Sequence, residues 1–595
     1  MKKYKNIIVW ICFAVWMSSC NDDFLERSPL VNINDATYWA TANDLKIYAN
    51  NFYQQTELLP DYKRLNDSPY MIDARNGSDI DVYLDYSKRL NGENTLPASG
   101  GGWSSGDWTL LRNINYFMDH YRQVNAPWDE IKQYAGEALF FRSIFYFSKL
   151  RSFGDVPWSS TTVNMDSESL FASRMPRSQV TDSILHDLDL AVEYLPARAG
   201  GSWTGRVTKE VALALQARIA LYEGTWEKYH ALKNTPFKVD GSDGTKFIQK
   251  AADTAGALIA MAEQNGSPAL DNAGKENGYW SLFNQEDYSG SKEVLLWRKY
   301  SAADNQTHRW TLDSKGGMMR GLSRKMVESY LCMDGKPIAV STLYEGDRNL
   351  KAIVANRDPR LNQTIQVDDG KHFIWYSPET IFQTPTYEGT SEGFCTTGYQ
   401  LYKGHNPVYP TVFFNTTLGA IYFRYAETLL IYAEAKAELG TITQSDIDKT
   451  VNALRDRAGM TGRLEMNQIT TDPNWEFAGI SPLLQEIRRE RKIELVCEGF
   501  RVDDIFRWAA ADELIAGKKP KGAVKQQWEN YPGASDAFLT AWEKLNTDEN
   551  GYIDPYQQYS SLSNGFNFNL NRDYLSPIPT TELVLNPNLK QNPGW

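Results

Sequence analysis

The sequence predicts a mainly α-helical protein whose helices are separated by long aromatic loops. Apolar residues recur at the spacing of one helix face in several separate windows. Two of the predicted helices are joined by only a few residues, which is typical of a helical hairpin. A chain of 595 residues is too long for a single hydrophobic core, so it forms either several domains or an elongated assembly of repeats.

Three amphipathic helices are predicted in the N-terminal half. In residues 43–53, 178–195 and 209–222 the apolar positions follow i, i+3, i+4, i+7 spacing. Asn43 is placed to cap the first helix, and Pro196 ends the second. The predicted buried stripes are Leu45, Tyr48, Ala49 and Phe52; Val180, Ile184, Leu188, Ala191 and Leu195; and Ala212, Leu215, Ile219 and Tyr222.

Further helices are predicted in the C-terminal half. Residues 421–439 form a helix that Gly440 ends, and a capping sequence at Ser445 starts the next one after a short link. Such a hairpin is the unit of a tetratricopeptide-type solenoid, although no regular repeat of high identity is present. Another helix is expected to begin at Ser481, with Pro482 in its first position.

The N-terminus carries the features of a secretory signal. Three lysines at positions 2, 3 and 5 precede an apolar run over residues 7–17, which is shorter than a membrane span. Ser18 and Ser19 then lead into Cys20, an arrangement that resembles a bacterial lipobox. We therefore expect residues 1–19 to be a signal peptide and Cys20 to be acylated. Acidic residues directly after the cysteine resemble a signal for export to the cell surface.

Charge and cysteine content exclude two classes of protein. The formal net charge is −12 and becomes −15 once the three lysines of the signal are removed, whereas binding to nucleic acid requires clustered positive charge. After the signal and Cys20, only Cys332, Cys395 and Cys497 remain, far apart and odd in number. They fit neither a disulfide framework nor a CxxC metal site, and we expect them to be buried.

Four segments of the chain resemble the SusD/RagB family of nutrient-binding outer-membrane lipoproteins. The segments follow one another in the order and spacing of the family, and together they span nearly the whole mature chain. They are residues 23–29 (DFLERSP), 135–142 (AGEALFFR) continuing to 151–157 (RSFGDVP), 424–459 with 489–508, and the tail from Pro577 to Trp595.

The resemblance implies a fold, a partner and a location. The fold would be four degenerate tetratricopeptide-like helix pairs forming a scaffold, with a loop-rich lobe that carries the ligand site. An N-terminal region, residues 20–230, would pack with a C-terminal region, residues 231–595, as one unit. The implied role is to bind an oligosaccharide outside the cell, anchored in outer-membrane lipid through Cys20, and to deliver it to a SusC-like TonB-dependent transporter.

The charged residues of the family segments have a structural interpretation. Arg491 and Glu494 are helical neighbours, as are Glu486 and Arg489, so we expect local ion pairs. The group Glu498, Arg501, Asp503 and Arg507 is expected to join that helix to its neighbour, because charges near a core require partners.

Aromatic residues in loops are the candidate ligand contacts. A sugar offers an apolar C–H face and hydroxyl edges, which suit an aromatic ring beside polar side chains. Trp103 lies in a glycine-rich stretch that leaves its indole free to face solvent or ligand, Trp310 follows a polar run, and Trp375 precedes a loop with Pro and Gly. Asp79 is a polar candidate. Plain packing is the alternative for each tryptophan.

Two other functions stay open at this point. A glycoside hydrolase needs two placed carboxylates, but 74 acidic residues make pairs uninformative. The chain has no GxSxG, HExxH, Walker or GxGxxG motif, and no two of its six histidines are four residues apart, so we expect no enzyme, cofactor or metal. A tetratricopeptide-type adaptor that binds protein is the second alternative.

Overall fold

The computed structural model describes residues 38–62, 68–198, 205–271, 276–388, 393–408 and 415–595. Cys20 and the predicted signal peptide lie outside these ranges. Within them, none of the helices combines the length and the apolar character needed to cross a membrane.

The N-terminal part is a series of helices with one short strand. Thr41 starts α1 with a capping box, in which its side chain and that of Asp44 bind each other's backbone N–H. The elements are α1 Ala42–Gln54, α2 Ile72–Asn76, β1 Asp81–Tyr83, α3 Thr109–His120, α4 Trp128–Phe153, α5 Arg177–Tyr194, α6 Lys209–Leu232 and α7 Thr245–Asn265.

The middle of the chain has short helices and strands separated by long loops. Its elements are α8 Gly278–Leu282, β2 Val294–Arg298, α9 Trp310–Lys315, β3 Arg320–Leu322, α10 Arg324–Ser329, α11 Leu350–Val354, α12 Pro359–Thr364, β4 Phe373–Tyr376 and β5 Glu379–Ile381.

Helices return in the C-terminal part. Ser481 caps α16 by accepting a hydrogen bond from the Leu484 N–H at 3.2 Å, with Pro482 in the first helical position as predicted. The elements are β6 Ala420–Arg424, α13 Tyr425–Glu438, α14 Gln444–Lys449, α15 Val451–Ala458, α16 Pro482–Glu494, α17 Arg501–Arg507, α18 Ala511–Leu514, α19 Asp536–Glu543 and α20 Thr580–Leu585. Short 3₁₀ helices occupy Pro69–Met71, Ser105–Trp108, Tyr121–Gln123, Glu168–Phe171, Lys525–Trp528 and Ser560–Leu562.

The long helices pack in sequence and form the scaffold. Helix α4 contacts α1, α3 and α5, then α5 packs on α6 and α6 on α7, while α13 bridges α7 and α16. Helix α6 and the start of α7 approach so closely that a Cβ on Gly224 would lie 2.6 Å from the Ile248 nitrogen. Glycine is therefore required at that contact. The mainly α-helical prediction is confirmed, and so are the helices expected near residues 43–53, 178–195 and 209–222.

The loop-rich lobe is built on three antiparallel strand pairs. Strand β1 pairs with β3, β2 with β6, and β4 with β5 as a hairpin. A second hydrophobic core lies here, separate from the core of the long helices. In the β1–β3 pair Asp81 lies opposite Leu322, so a segment from the N-terminal part is hydrogen-bonded into the lobe.

One predicted helix begins later than expected. Residues 421–424 belong to β6 and pair with β2, with Ile421 opposite Trp297 and Arg424 opposite Val294. The strand runs directly into α13 at Tyr425, so its apolar residues continue the helical pattern without a break. The helix was predicted too long because the strand and the helix form one continuous apolar stretch, in which the change from strand to helical spacing is not visible.

Arg424 is the centre of a buried ionic network between α13 and α16. Its guanidinium lies 2.7 Å from Glu494, 3.0 Å from Glu293 and 2.7 Å from Glu498. Burial alone would raise the pKa of Glu494, but the charges of Arg457 and Arg424 hold that pKa below its usual range. The network therefore joins the start of α13 to the end of α16 through paired charges, and Glu498, from the group expected to join α16 to its neighbour, takes part in it.

The expected pairing within α16 is half correct. Glu486 and Arg489 form the predicted ion pair at 3.0 Å. The predicted Arg491–Glu494 pair is wrong, because Arg491 binds Asp504 of α17 at 2.9 Å and Glu494 turns to Arg424. Arg491 and Glu494 therefore pair with residues outside α16 and not with each other.

Candidate functional site

Trp103 is a packing residue in this structure. Its indole is 4% exposed and meets Phe153 edge-on with ring centroids 4.8 Å apart. The preceding glycines, Gly100 to Gly102, have positive φ angles as a loop requires, but the ring turns inward. The prediction that this indole faces solvent is wrong. A ligand contact at Trp103 stays a prediction that its burial disfavours.

Trp310 lies in the core of the loop-rich lobe. The indole is 1% exposed, stacks on His308 at a centroid distance of 3.8 Å, and donates a hydrogen bond of 3.2 Å from Nε1 to the Tyr62 carbonyl. Residues 303–306 of the polar run before it are exposed, whereas His308 is buried and Trp310 starts α9 and points inward. Its predicted role in ligand contact likewise stays untested, and its burial favours packing.

Asp79 forms a buried ion pair. Its two carboxylate oxygens accept hydrogen bonds from Nε and Nη2 of Arg501, both at 2.7 Å. Burial opposes the ionised carboxylate, but the Arg501 charge outweighs it and lowers the pKa of Asp79. This geometry ties the N-terminal loop to α17. It leaves the carboxylate no open side for a ligand, so the predicted ligand role is disfavoured.

Trp375 is the predicted tryptophan that borders an open cavity. It lies in β4, it is 9% exposed, and its ring centroid is 5.9 Å from that of His405. The cavity has a volume of about 690 Å³ and lies against the β4–β5 hairpin. The neighbouring Tyr376 is 48% exposed. We call this space the Trp375 cavity; its polar lining includes Lys315, Glu379, Thr380, Gln383, Thr384, Thr386 and Glu388.

His405 supports β4 behind Trp375. Burial lowers the pKa of His405 to about 4, so the imidazole is neutral at physiological pH. The Ile374 carbonyl, 3.0 Å from Nε2, can only accept, so Nε2 carries the proton. Nδ1 therefore accepts a hydrogen bond of 2.6 Å from the Ser314 hydroxyl. This chain fixes the strand that carries Trp375 to the end of α9.

Sequence reasoning missed His405 and the polar residues of the cavity. The hairpin had a usable signal, since the apolar strand residues 373–376 and the residues 379–381 flank Ser377 and Pro378, a turn sequence. His405 had no such signal, because it is 31 residues away from Ile374.

A second cleft lies between the loop after α2 and helix α17. Its volume is about 550 Å³, and it contains Tyr83 and Tyr86. Two of its polar side chains already have protein partners: Arg151 is bound to Asp503, and the Tyr86 hydroxyl donates to Glu93 at 3.0 Å. Among the described residues, no group of three or more His, Cys, Asp or Glu side chains could hold a metal ion. The Trp375 cavity is therefore the better candidate for a ligand.

Two family models match the chain. A model described as the SusD family matches residues 281–595, and one described as starch-binding associating with outer membrane matches residues 104–221. The SusD-like protein P2 of Formosa agariphila is 25% identical to this chain, and the match covers 100% of both proteins.

Solved structures share the fold. The crystal structure of a SusD-like carbohydrate-binding protein from Bacteroides fragilis superposes with a TM-score of 0.68 at 22% identity, covering 93% of this chain and 100% of that one. A SusD homologue from Bacteroides thetaiotaomicron gives a TM-score of 0.59 at 17% identity, covering 94% and 98%. The scaffold of tetratricopeptide-like helices is thus confirmed, and, because the first model matches more than half of its length, the chain belongs to the SusD family.

Proposed function

We propose that this protein is a lipid-anchored, surface-exposed protein that binds an oligosaccharide in the Trp375 cavity and passes it to a SusC-like TonB-dependent transporter. Cys20 would carry the lipid, in the outer membrane and facing the cell exterior. Three facts support the proposal: membership of the SusD family, a family model described by starch binding and the outer membrane, and a structural relative described as carbohydrate-binding.

The observation that carries the proposal is the composition of the Trp375 cavity. An indole borders it, and the carboxylate of Glu388 and the amide of Gln383 are exposed beside it. The C–H face of a sugar ring packs on an aromatic surface, and its hydroxyl groups bind carboxylates and amides.

The carboxylates of the cavity suit binding better than hydrolysis. A hydrolase needs a general acid whose pKa is raised by an apolar, buried environment. Glu379 and Glu388 are both exposed side chains. We therefore propose a non-catalytic role. A protein-binding adaptor is less favoured, because an aromatic and polar cavity of this size suits a small ligand.

Titration calorimetry with oligosaccharides tests the site. Trp375→Ala removes an aromatic face, which is worth about 1 kcal/mol, so affinity should fall by roughly five- to tenfold. Trp375→Phe should keep part of the affinity, because it retains an aromatic ring. Trp128→Ala, at an exposed tryptophan of α4, is the matched control and should bind normally. Normal affinity in Trp375→Ala, with its fold verified by thermal melting, would exclude this cavity as the ligand site.

A further inference from the structure

A separate polar pocket lies between α10, the loop before α16, and α16 itself. It shares no lining residue with the Trp375 cavity. Its volume is about 350 Å³, roughly that of a dozen water molecules at ~30 Å³ each, which leaves room for one sugar ring. We call it the Trp475 pocket; six of its lining residues are Lys325, Glu328, Trp475, Glu476, Arg489 and Lys492.

The loop that carries Trp475 is fixed to α16. Asp472 accepts a hydrogen bond of 2.8 Å from the Asn474 N–H, and its other carboxylate oxygen binds the Arg489 guanidinium. Trp475 follows directly and is half-buried at the pocket. The indole is therefore held by the backbone of a tight turn.

Two N–H donors at the pocket lack a full set of acceptors within the described part of the chain. The Trp475 Nε1 is buried without a hydrogen-bond partner. The Lys492 ammonium, which is buried, donates to Glu476 at 2.6 Å and to the Ser329 hydroxyl, so one of its three hydrogens is unused. Buried donors of this kind are costly unless another molecule supplies oxygen acceptors.

The charged side chains that line the pocket balance, with the cations Lys325, Arg489 and Lys492 against the anions Glu328, Asp472 and Glu476. Lys492 and Lys325 lie 2.6 Å and 3.6 Å from Glu476, and Arg489 is paired with Asp472. An anionic ligand would therefore add a net charge to a partly buried site. An uncharged ligand with many hydroxyl groups has the matching chemistry, because its oxygens accept from the free donors.

We propose that the Trp475 pocket is a second carbohydrate site that takes a single uncharged sugar ring. The ring packs against the edge of Trp475, and its oxygens accept hydrogen bonds from Trp475 Nε1 and Lys492 Nζ. This site does not depend on the Trp375 cavity or on delivery to a transporter.

Saturation-transfer NMR on the full mature chain tests the proposal. The probes are methyl glycosides of the common neutral hexoses, pentoses and N-acetylhexosamines, with galacturonic acid as the charged comparison. At least one neutral glycoside should bind the wild type, and its dissociation constant should rise by about tenfold in Trp475→Ala. Trp475→Phe keeps an aromatic ring but loses the N–H, so its dissociation constant should lie between those of the wild type and Trp475→Ala.

The variants separate this site from the first. Trp375→Ala should leave monosaccharide binding at the Trp475 pocket unchanged, whereas loss of binding only in that variant would assign the signal to the Trp375 cavity and overturn the proposal. The absence of binding by every neutral glycoside, or binding of galacturonic acid alone, would also overturn it. Thermal melting of each variant checks that the fold is intact.

Discussion

Asp79 and Arg501 form a bidentate ion pair across 422 residues of sequence, with both N–H···O distances at 2.7 Å. Arg501 also lies 3.3 Å from Glu476, so the pair connects the N-terminal loop to the wall of the Trp475 pocket. Both partners of the pair are buried.

Replacing Asp79 should destabilise the fold. Asp79→Asn keeps the shape but leaves the Arg501 charge only partly compensated in a buried site, and breaking a buried pair costs about 3–5 kcal/mol. Urea unfolding should show that loss. Asp240→Asn is the control, because that carboxylate is 93% exposed and should change stability little. If the two variants had equal stability, the Asp79–Arg501 pair would not hold the loop.

Asp73 should lower the stability of the fold as the pH rises, which is opposite to the usual effect of an aspartate. Burial, with a smaller contribution from the charge of Asp81, raises the pKa of Asp73 to about 7. Hydrogen bonds from the Gly499 and Arg501 amides act in the opposite direction. Since the unfolded pKa is about 3.9, the folded state binds more protons between pH 4 and 7. The contribution of Asp73 to stability is therefore full below pH 4 and is lost as the pH rises to 7.

Asp73→Asn isolates that contribution. Asparagine resembles the protonated carboxyl group, so the variant should gain stability relative to the wild type as the pH goes from 5 to 8. Urea midpoints at both pH values measure the change, with Asp240→Asn as the exposed control. A difference between variant and wild type that is constant with pH would show that Asp73 does not titrate in this range.

The proposed lipid anchoring of the protein depends on Cys20. Each buried CH₂ of an acyl chain contributes ~0.8 kcal/mol, and stable attachment needs more than one chain. Cys20→Ala should therefore move the protein from the outer-membrane fraction to the soluble fraction. Cys12→Ala, within the predicted signal peptide, should stay in the membrane. Retention of Cys20→Ala at the wild-type level would contradict lipidation at this residue.

The proposed partnership with a SusC-like transporter predicts co-purification. Mild detergent extraction of native outer membranes should recover the protein with a large barrel protein. The interface with the transporter must open to load ligand, so we expect it to be of moderate size. The yield of the complex should therefore fall in harsher detergent. The Cys20→Ala variant, added to the extract, separates direct binding from shared membrane location. Repeated recovery of the protein alone would count against this partnership.

The sequence predicted the scaffold well, but it did not predict the burial of two of the candidate site residues. Helical periodicity located α1, α5 and α6, since a helix face is a local pattern. The sequence did not show that the side chains of Trp103 and Trp310 point inward. Neighbouring glycines and polar residues indicate the path of the backbone, not the direction of a side chain. Partners such as Asp79 and Arg501 are 422 residues apart, so no local pattern relates them.

Strand β1 has a consequence for any attempt to divide the protein. Its partner is β3, more than 200 residues later, and the Tyr556 hydroxyl donates to the Tyr83 carbonyl from near the end of the chain. A fragment that stops at residue 230 would leave the β1 backbone groups without these partners. Such an open strand edge pairs readily with other chains, so the isolated fragment should aggregate. Shortened versions for crystallisation should therefore not be cut between the two halves of the chain.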